Sequence, residues 1–373
     1  MDVHSAEGVE IRLRDGRTVL DFSSSIGVLG LGHNHPRILQ AERRCHERKM
    51  IDALKVAPLR LQSALAYNLA QLLPDPLEVC FFTVSGAEAV EAGMKLCERV
   101  QGPAKTKYVV AKGSYHGKTH GSLSLTTSGG FQDGFLLGLS KEHVVEVPYG
   151  ELRAIEDAII TNRVDGRTNS IIAIVLETIQ GQGVVEPPEG YLKALARLCR
   201  ENQILVLLDE VKVGMGRTGT FCAFESEAVI PDVLTLSKAL GGGKHAIGAM
   251  ITSHKLFKKA YGRHRDSALH STTFGGLGES CAVAIETLNV FHEEDLLDRV
   301  RQKGGYLRER LVKLKDKHQG KIAEVRGRGL FQAVRFNFHR SPLARVLGSP
   351  RFALQNSIEA LTMACLIRIL YQR

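Results

Sequence analysis

Short apolar runs alternate with longer amphipathic stretches along most of this chain, and each run has the length of a buried strand. These strand candidates are residues 80–84, 108–111, 171–177, 205–209, 233–236 and 247–252. The first of them precedes a helical pattern over about 87–100, and most of the others are separated by enough chain for a crossover helix. The pattern predicts an α/β protein with a mainly parallel sheet covered on both faces.

The second half of the chain is more helical. Because neither glycine nor proline occurs between Gly278 and Gly304, we predict one long helix there, which joins the sheet domain to a smaller terminal domain. The densest basic stretch, residues 301–317, places Leu307, Leu311 and Leu314 at helical spacing. This spacing predicts an amphipathic helix with a solvated basic face.

Composition narrows the class of protein. With 373 residues, 44% of them hydrophobic, the chain can bury a large core and is expected to form two domains. No long apolar run or signal-peptide pattern is present, so we predict a soluble cytoplasmic protein with no membrane partner. The seven cysteines never form a CxxC pair, which favours reduced thiols.

The formal net charge of +9 does not indicate nucleic acid, because the basic residues are dispersed and the chain has no tryptophan. An anionic cofactor or substrate accounts for local positive charge equally well.

A lysine and an aspartate follow two of the apolar runs. Asp209 closes the run 204–209, and Lys238 follows the run 233–236 and precedes the glycines 241–243. Because ligands of open α/β sheets bind beyond the carboxyl ends of the strands, we expect both side chains at one edge. Pyridoxal phosphate catalysis needs such a pair: a lysine holds the cofactor as a Schiff base, and a carboxylate keeps the pyridine nitrogen protonated.

Other residues fall where this site would need them. The turn Ser85-Gly86-Ala87 lies between a strand and a helix, where backbone N–H groups can bind phosphate, although an ordinary N-cap serine is the alternative. Tyr115 follows strand 108–111 and is either a stacking partner for a cofactor ring or a half-buried loop tyrosine. Glu177 ends a strand, and a solvated strand end is the alternative for it.

A rival motif is present at residues 214–219, which match the dinucleotide fingerprint GxGxxG. The fingerprint requires glycines that directly join a strand to a helix. Here residues 210–213 intervene after the strand, and residues 220–225 do not begin a convincing amphipathic helix. Nicotinamide binding is therefore not predicted.

Taken together, these residues resemble the class III aminotransferases, the fold-type I pyridoxal-phosphate enzymes that include the ornithine, acetylornithine, 4-aminobutyrate and putrescine enzymes. The resemblance covers about residues 8–330. Its motifs, in the family's order, are Leu20-Asp21-Phe22, Leu31-Gly32-His33-Asn34-His35-Pro36, Ser85-Gly86-Ala87-Glu88-Ala89, Tyr115-His116-Gly117, Leu208-Asp209-Glu210-Val211, Gly216-Arg217-Thr218-Gly219, Ser237-Lys238-Ala239-Leu240-Gly241-Gly242 and Thr272-Thr273-Phe274-Gly275-Gly276.

The resemblance implies pyridoxal 5'-phosphate as cofactor and Lys238 and Asp209 as catalytic residues. Lys238 would be the Schiff-base lysine and general base, and Asp209 the partner of the pyridine nitrogen. The residues implied to bind the cofactor are Ser85, Gly86, Ala87, Tyr115, His116, Glu177, Asp209, Val211, Lys212, Lys238 and Thr273. Thr273 would reach the phosphate of a neighbouring subunit, so a homodimer with a shared site is implied. No metal site is implied.

The resemblance also implies a three-layer fold. We expect residues 1–50 to contribute to a small domain, 51–285 to form a large domain that binds pyridoxal phosphate, and 286–373 to form a C-terminal small domain. That last domain is shorter than in the family. Relatives carry there an arginine that binds a substrate carboxylate; Arg368 is the candidate, with a surface arginine as the alternative.

Some positions depart from the family. Lys212 stands where glutamine is usual beside the cofactor's phenolic oxygen, Leu277-Gly278 replaces Asn-Pro, and Gln182 occupies a position often held by glutamate. The leading hypothesis is transfer of an amino group from an ω-amino acid or diamine to a 2-oxo acid. The alternatives are a catalytically inactive homologue that serves as a dimeric scaffold, and a pyridoxal-phosphate mutase or decarboxylase.

Overall fold

The computed structural model describes residues 2–50, 57, 59–164, 168–266 and 268–337. The strands in these residues are β1 (Val3–Glu7), β2 (Glu10–Leu13), β3 (Thr18–Leu20), β4 (Val79–Thr83), β5 (Lys107–Ala111), β6 (Val144–Val147), β7 (Ile171–Glu177), β8 (Leu205–Asp209), β9 (Val233–Leu236), β10 (Gly248–Thr252), β11 (Ile322–Arg328) and β12 (Phe331–Phe336). The helices are α1 (Ser24–Gly27), α2 (Pro36–Glu47), α3 (Arg60–Leu72), α4 (Gly86–Gln101), α5 (His120–Ser124), α6 (Leu152–Thr161), α7 (Tyr191–Glu201), α8 (His254–Tyr261), α9 (Gly278–Glu293) and α10 (Leu296–Lys317).

A seven-stranded sheet in the order β4-β10-β9-β8-β7-β5-β6 forms the centre of the fold. Strand β10 runs antiparallel to β4 and β9, and the remaining neighbours are parallel. Every residue of β7 is buried, as expected for a central parallel strand that is covered on both faces. The predicted α/β fold and its mainly parallel sheet are confirmed, and each of the six predicted strands lies within about one residue of an observed strand.

Two clusters of buried side chains cover the two faces of this sheet. One includes Leu208 and packs beneath α3, α6 and α7, whereas the other includes Leu207 and packs beneath α4. Consecutive side chains of a strand point to opposite faces, which explains how neighbouring leucines belong to different clusters. Strands β1–β3 and β11–β12 form two small sheets outside the central one. The predicted division into domains at residues 50 and 285 stays a prediction.

The prediction of a single long helix between Gly278 and Gly304 is wrong. Helix α9 ends at Glu293, Asp295 takes a left-handed backbone conformation with φ +48°, and α10 begins at Leu296. Leu296 and Leu297 pack against the main core after this break, so burial outweighs the local preference for a continuous helix.

Helix α10 also continues through Gly304 instead of ending there. A Cβ at this position would lie 2.4 Å from the carbonyl oxygen of Gly329, so the glycine permits close packing on the hairpin β11–β12. Farther along α10, Leu307 and Leu311 are half-buried and Leu314 is exposed. The predicted helix with a basic face is thus confirmed, but Leu314 does not lie on its half-buried side.

The other sequence features are placed as follows. Cys45, Cys80, Cys97, Cys199 and Cys222 are free thiols, and Cys365 and Arg368 lie outside the described residues. Glycines 214–219 lie in turns that no helix directly follows, so the strand–glycine–helix arrangement of a dinucleotide site is not formed there. Within the described ranges, no helix combines the length and apolar character needed to cross a membrane.

Candidate active site

The carboxylate of Asp209 is fixed at the carboxyl end of β8. Its side chain is 5% exposed, and its Oδ1 accepts hydrogen bonds from the backbone N–H of Val211 at 3.0 Å and from the Thr235 hydroxyl at 3.4 Å. Thr235 is the register partner of Asp209 on the parallel strand β9. Asp209 is thus a buried carboxyl group with a defined orientation.

His116 supports the same carboxylate. Its Nδ1 lies 2.9 Å from Asp209 Oδ2, and the imidazole is fully buried. Its backbone N–H donates to the Thr126 hydroxyl at 2.9 Å, which fixes the loop. The Nε2 of His116 is buried and makes no hydrogen bond with the described residues. An unpartnered buried polar atom indicates a site that a ligand can complete.

Lys238 lies two residues beyond β9, so the parallel strands bring it to the same edge as Asp209. Its backbone is left-handed, with φ +48°, and strained conformations of this kind cluster at functional sites. Burial lowers the pKa of its amine, with further lowering by the charges of Lys212 and Arg217 and an opposing effect of Asp209 and Glu177. Lys238 therefore loses its proton more readily than a surface lysine.

The N-terminus of α4 forms another side of the site. Ser85 is the N-cap, and its hydroxyl accepts the backbone N–H of Glu88 at 3.2 Å. A Cβ at Gly86 would lie 2.7 Å from Val211 Cγ1, so Val211 packs directly on the first turn. The first N–H groups of a helix have no intrahelical acceptor and attract anions. The start of α4 has the properties of a phosphate site.

The loop that carries Tyr115 packs against this first turn. A Cβ at Gly117 would lie 2.6 Å from the Cβ of Ala87, which leaves room only for glycine. Tyr115 is half-buried, and its backbone N–H donates to Glu177 Oε1 at 3.0 Å. Tyr115 therefore lies within the same group of residues as Ser85, Gly86, Ala87 and Val211.

Glu177 joins two loops of the site. Besides Tyr115 it accepts the backbone N–H of Gly181 at 2.7 Å through Oε2. Burial raises its pKa to about 6, and the charge of Asp209 acts in the same direction, whereas His116 and the two backbone hydrogen bonds lower it. Glu177 is thus a buried brace and not the solvated strand end that the sequence left open.

Lys212 and Arg217 add positive charge next to Lys238. The Nζ of Lys212 donates to the Gly181 carbonyl at 2.9 Å and lies 5.3 Å from the centre of the Phe331 ring. The Arg217 guanidinium donates to the carbonyl oxygens of Lys212 at 3.0 Å and Gly27 at 2.8 Å. Burial lowers the pKa of both side chains. The site therefore favours anionic ligands.

Thr273, which was predicted to reach a neighbouring subunit, and Gln182, which departs from the family pattern, lie apart from this group. Thr273 is exposed, in a loop where Gly275 packs against the Phe82 carbonyl of β4, and Gln182 is exposed at the tip of the turn after β7. Thr235, Thr126 and Arg217 also contribute to the site and were not predicted from the sequence. Thr235 could have been found, because the penultimate residue of the next parallel strand is in register with Asp209.

A family model described as "Aminotransferase class-III" matches residues 1–345. This chain belongs to the class III aminotransferase family. Its members are pyridoxal-phosphate-dependent enzymes, so the predicted family, cofactor and enzyme class are confirmed, and the chain is a pyridoxal-phosphate-dependent aminotransferase.

Solved structures agree. An ornithine aminotransferase from Toxoplasma gondii ME49 is 28% identical to this chain, with a TM-score of 0.81. The match covers 90% of this chain and 77% of the ornithine aminotransferase chain. An omega transaminase from Pseudomonas jessenii in complex with PMP is 28% identical with a TM-score of 0.83, covering 92% and 80%. A taurine:2-oxoglutarate aminotransferase from Bifidobacterium kashiwanohense, in complex with PLP and glutamate, is 26% identical with a TM-score of 0.83, covering 91% and 79%.

Proposed function

We propose that this aminotransferase moves an amino group from an ω-amino acid or a diamine to a 2-oxo acid, in a homodimer with shared active sites. The observation that carries the proposal is the juxtaposition of Lys238 and the buried carboxylate of Asp209 at one edge of the sheet, beside the N-terminus of α4.

The residues present fit pyridoxal phosphate. The buried Asp209 accepts hydrogen bonds but has no lysine or arginine partner within the described residues, so a protonated pyridine nitrogen would complete its environment. The first turn of α4, with Ser85, Gly86 and Ala87, suits the phosphate. Val211 beside that turn and Tyr115 across from it suit the two faces of a ring.

The cofactor supplies an electron sink for the bond-breaking step, and this chain supplies orientation and proton transfer. Lys238 Nζ would hold the cofactor covalently, and its free amine would accept the proton that the amino donor loses. Its lowered pKa suits this role, because the amine is free to accept a proton at a lower pH than an ordinary lysine amine. Asp209, held by His116, Thr235 and Val211, keeps its negative charge at a fixed position during turnover.

Lys212 has a different role from the glutamine that is usual at its position. Its ammonium can donate a hydrogen bond to an anionic oxygen, while the Gly181 carbonyl holds it in place. Together with Arg217 it helps to lower the pKa of Lys238, secondary to burial. Lys212 therefore adjusts the pKa of the catalytic amine of Lys238.

The substrate class rests on two supports. The similar structures include an ornithine aminotransferase, omega transaminases and a taurine:2-oxoglutarate aminotransferase. Each of these names refers either to an omega position or to a substrate with an amino group distant from its acid group. The positive charges of Lys212 and Arg217 favour the carboxylate of a 2-oxo acid acceptor.

The homodimer rests on the surface around Thr273. This exposed threonine is followed by Phe274, which is 57% exposed. Elsewhere on the chain, Phe22 is 85% exposed. Exposed aromatic side chains of this size are typical of association surfaces. We propose that Thr273 crosses such an interface and binds the phosphate in the neighbouring subunit.

The test is product analysis with nitrogen-labelled donors. Ornithine, 4-aminobutyrate, taurine and putrescine are each offered with 2-oxoglutarate, and labelled glutamate is expected with at least one donor. Lys238→Ala should give none, whereas Lys244→Ala, an exposed lysine in the same loop, should match the wild type. Carbon dioxide without labelled glutamate would indicate a decarboxylase, and no product from a folded, cofactor-loaded protein would indicate an inactive homologue.

A further inference from the structure

A cluster of two carboxylates and two histidines lies outside the active site. Glu42 and His46 belong to α2, Glu279 lies in the first turn of α9, and His245 follows the glycine loop after Lys238. The nearest donor atoms of Glu42, His245 and Glu279 all lie within 4.8 Å of one another. Three separate parts of the chain therefore converge on one small region.

The distances match a coordination shell. His245 Nε2 lies 3.4 Å from Glu42 Oε1 and 3.8 Å from Glu279 Oε1, and His46 Nε2 lies 3.2 Å from the same Glu279 oxygen. Ligand atoms at about 2.0–2.1 Å from a tetrahedral Zn²⁺ are about 3.4 Å apart. The two distances from His245 Nε2, 3.4 and 3.8 Å, thus equal or slightly exceed the edge of a zinc tetrahedron.

The two carboxylates of this cluster have no lysine or arginine partner among the described residues. In the described parts of the chain, the ion pairs of Glu42 and Glu279 are with histidines only. Two carboxylates this close repel each other unless a cation lies between them.

His245 provides an independent indication. Its Nε2 is buried yet makes no hydrogen bond with the described residues, although two carboxylate oxygens lie nearby. The imidazole is 16% exposed, and the ring therefore faces the cluster and not solvent. A neutral imidazole nitrogen in this position has the lone pair that a transition metal binds.

We propose that Glu42, His245 and Glu279 bind one divalent transition-metal ion, with zinc as the best match, while His46, which is 71% exposed and contacts only Glu279, lies beside the site. Imidazole and carboxylate ligands at these separations suit Zn²⁺ better than Ca²⁺ or Mg²⁺, which bind oxygen ligands alone in larger numbers. Glu42 and His46 are four residues apart on α2, so they project from one face of the helix.

The ion would fix the loop that follows Lys238. The backbone N–H of His245 donates to the Gly241 carbonyl at 3.0 Å, and a Cβ at Gly242 would lie 2.8 Å from Thr287 of α9 and 3.0 Å from Ile38 of α2. The loop is therefore enclosed between the two helices that carry the other ligands. Bound metal joins α2, α9 and this loop, and its role is structural.

Calorimetric titration of the full chain with Zn²⁺, after chelator treatment and with pyridoxal phosphate bound and its excess removed, tests the site. We expect one Zn²⁺ per chain and an increase in the melting temperature. His245→Ala and Glu279→Gln should each weaken binding by about tenfold or more, since even outer-sphere changes cost that much. Because Glu279→Gln preserves the side-chain shape, it separates loss of a ligand from loss of the fold.

His35→Ala is the matched control. His35 Nε2 lies 3.4 Å from Glu294 Oε1, and this pair is separate from the cluster. Its Zn²⁺ affinity should equal that of the wild type. Absence of saturable binding at one ion per chain, or equal affinity in His245→Ala, would show that the histidines merely neutralise the carboxylates and would overturn the proposal.

Discussion

Replacing Gly86 with alanine tests whether the first turn of α4 and Val211 together form the cofactor pocket. The added Cβ would lie 2.7 Å from Val211 Cγ1 and 2.9 Å from Cγ2, closer than side-chain carbons approach in folded proteins. Relief requires a shift of the helix N-terminus or of Val211. Overpacking of this kind costs about 1–3 kcal/mol. If that strain falls on the pocket, it corresponds to about 5- to 150-fold weaker cofactor binding.

The assay is a spectroscopic titration of the chain with pyridoxal phosphate, with the melting temperature of the cofactor-free protein measured in parallel. Val211→Ala removes both γ carbons that Gly86→Ala would meet, so the alanine at position 86 should cost much less in that background. Coupling between residues in contact amounts to about 0.5–3 kcal/mol. The reasoning is refuted if Gly86→Ala binds the cofactor like the wild type, or if its cost is the same with and without Val211.

Three further predictions concern charge. Lys212→Gln should raise the pKa of Lys238, because the positive charge of Lys212 adds to the lowering caused by burial. The pH dependence of cofactor binding measures this pKa. The control Lys244→Gln should leave that pH dependence unchanged. Asp209→Asn should preserve the fold but lower kcat by roughly 100-fold or more, since a fixed charge is lost from the site; kinetics at saturating cofactor check this. Burial raises the folded-state pKa of Glu210 from 4.5 to about 7, so the folded state binds the proton more tightly than the unfolded state. Its contribution to stability is complete below pH 4.5 and is lost as the pH rises to about 7, so the difference in urea stability between wild type and Glu210→Gln should fall over that window. A constant difference would contradict this.

Much of the fold and site could be predicted because strand ends carry strong local patterns. Asp209 and Lys238 each follow a continuous apolar run, and parallel strands place such residues at one edge. The break at Asp295 could not be predicted, because it depends on burial of Leu296 and Leu297 against a distant core. The brace formed by Glu177 likewise depends on two loops that are far apart in sequence.

The convergence of Glu42, His245 and Glu279 was not predicted for the same reason. These three residues come from two separate helices and a loop, and no regular spacing along the chain relates them. Only Glu42 and His46 have a helical spacing, which by itself describes many solvated helix faces.

The visible absorption of the chain with bound pyridoxal phosphate tests the central claim most directly. We expect a band of the lysine-bound cofactor in the wild type and in Lys244→Ala, its loss in Lys238→Ala, and bleaching of the wild-type band when an ω-amino donor is added. A folded wild-type protein without the band, or a band that persists in Lys238→Ala, would contradict the assignment of Lys238 as the residue that holds the cofactor.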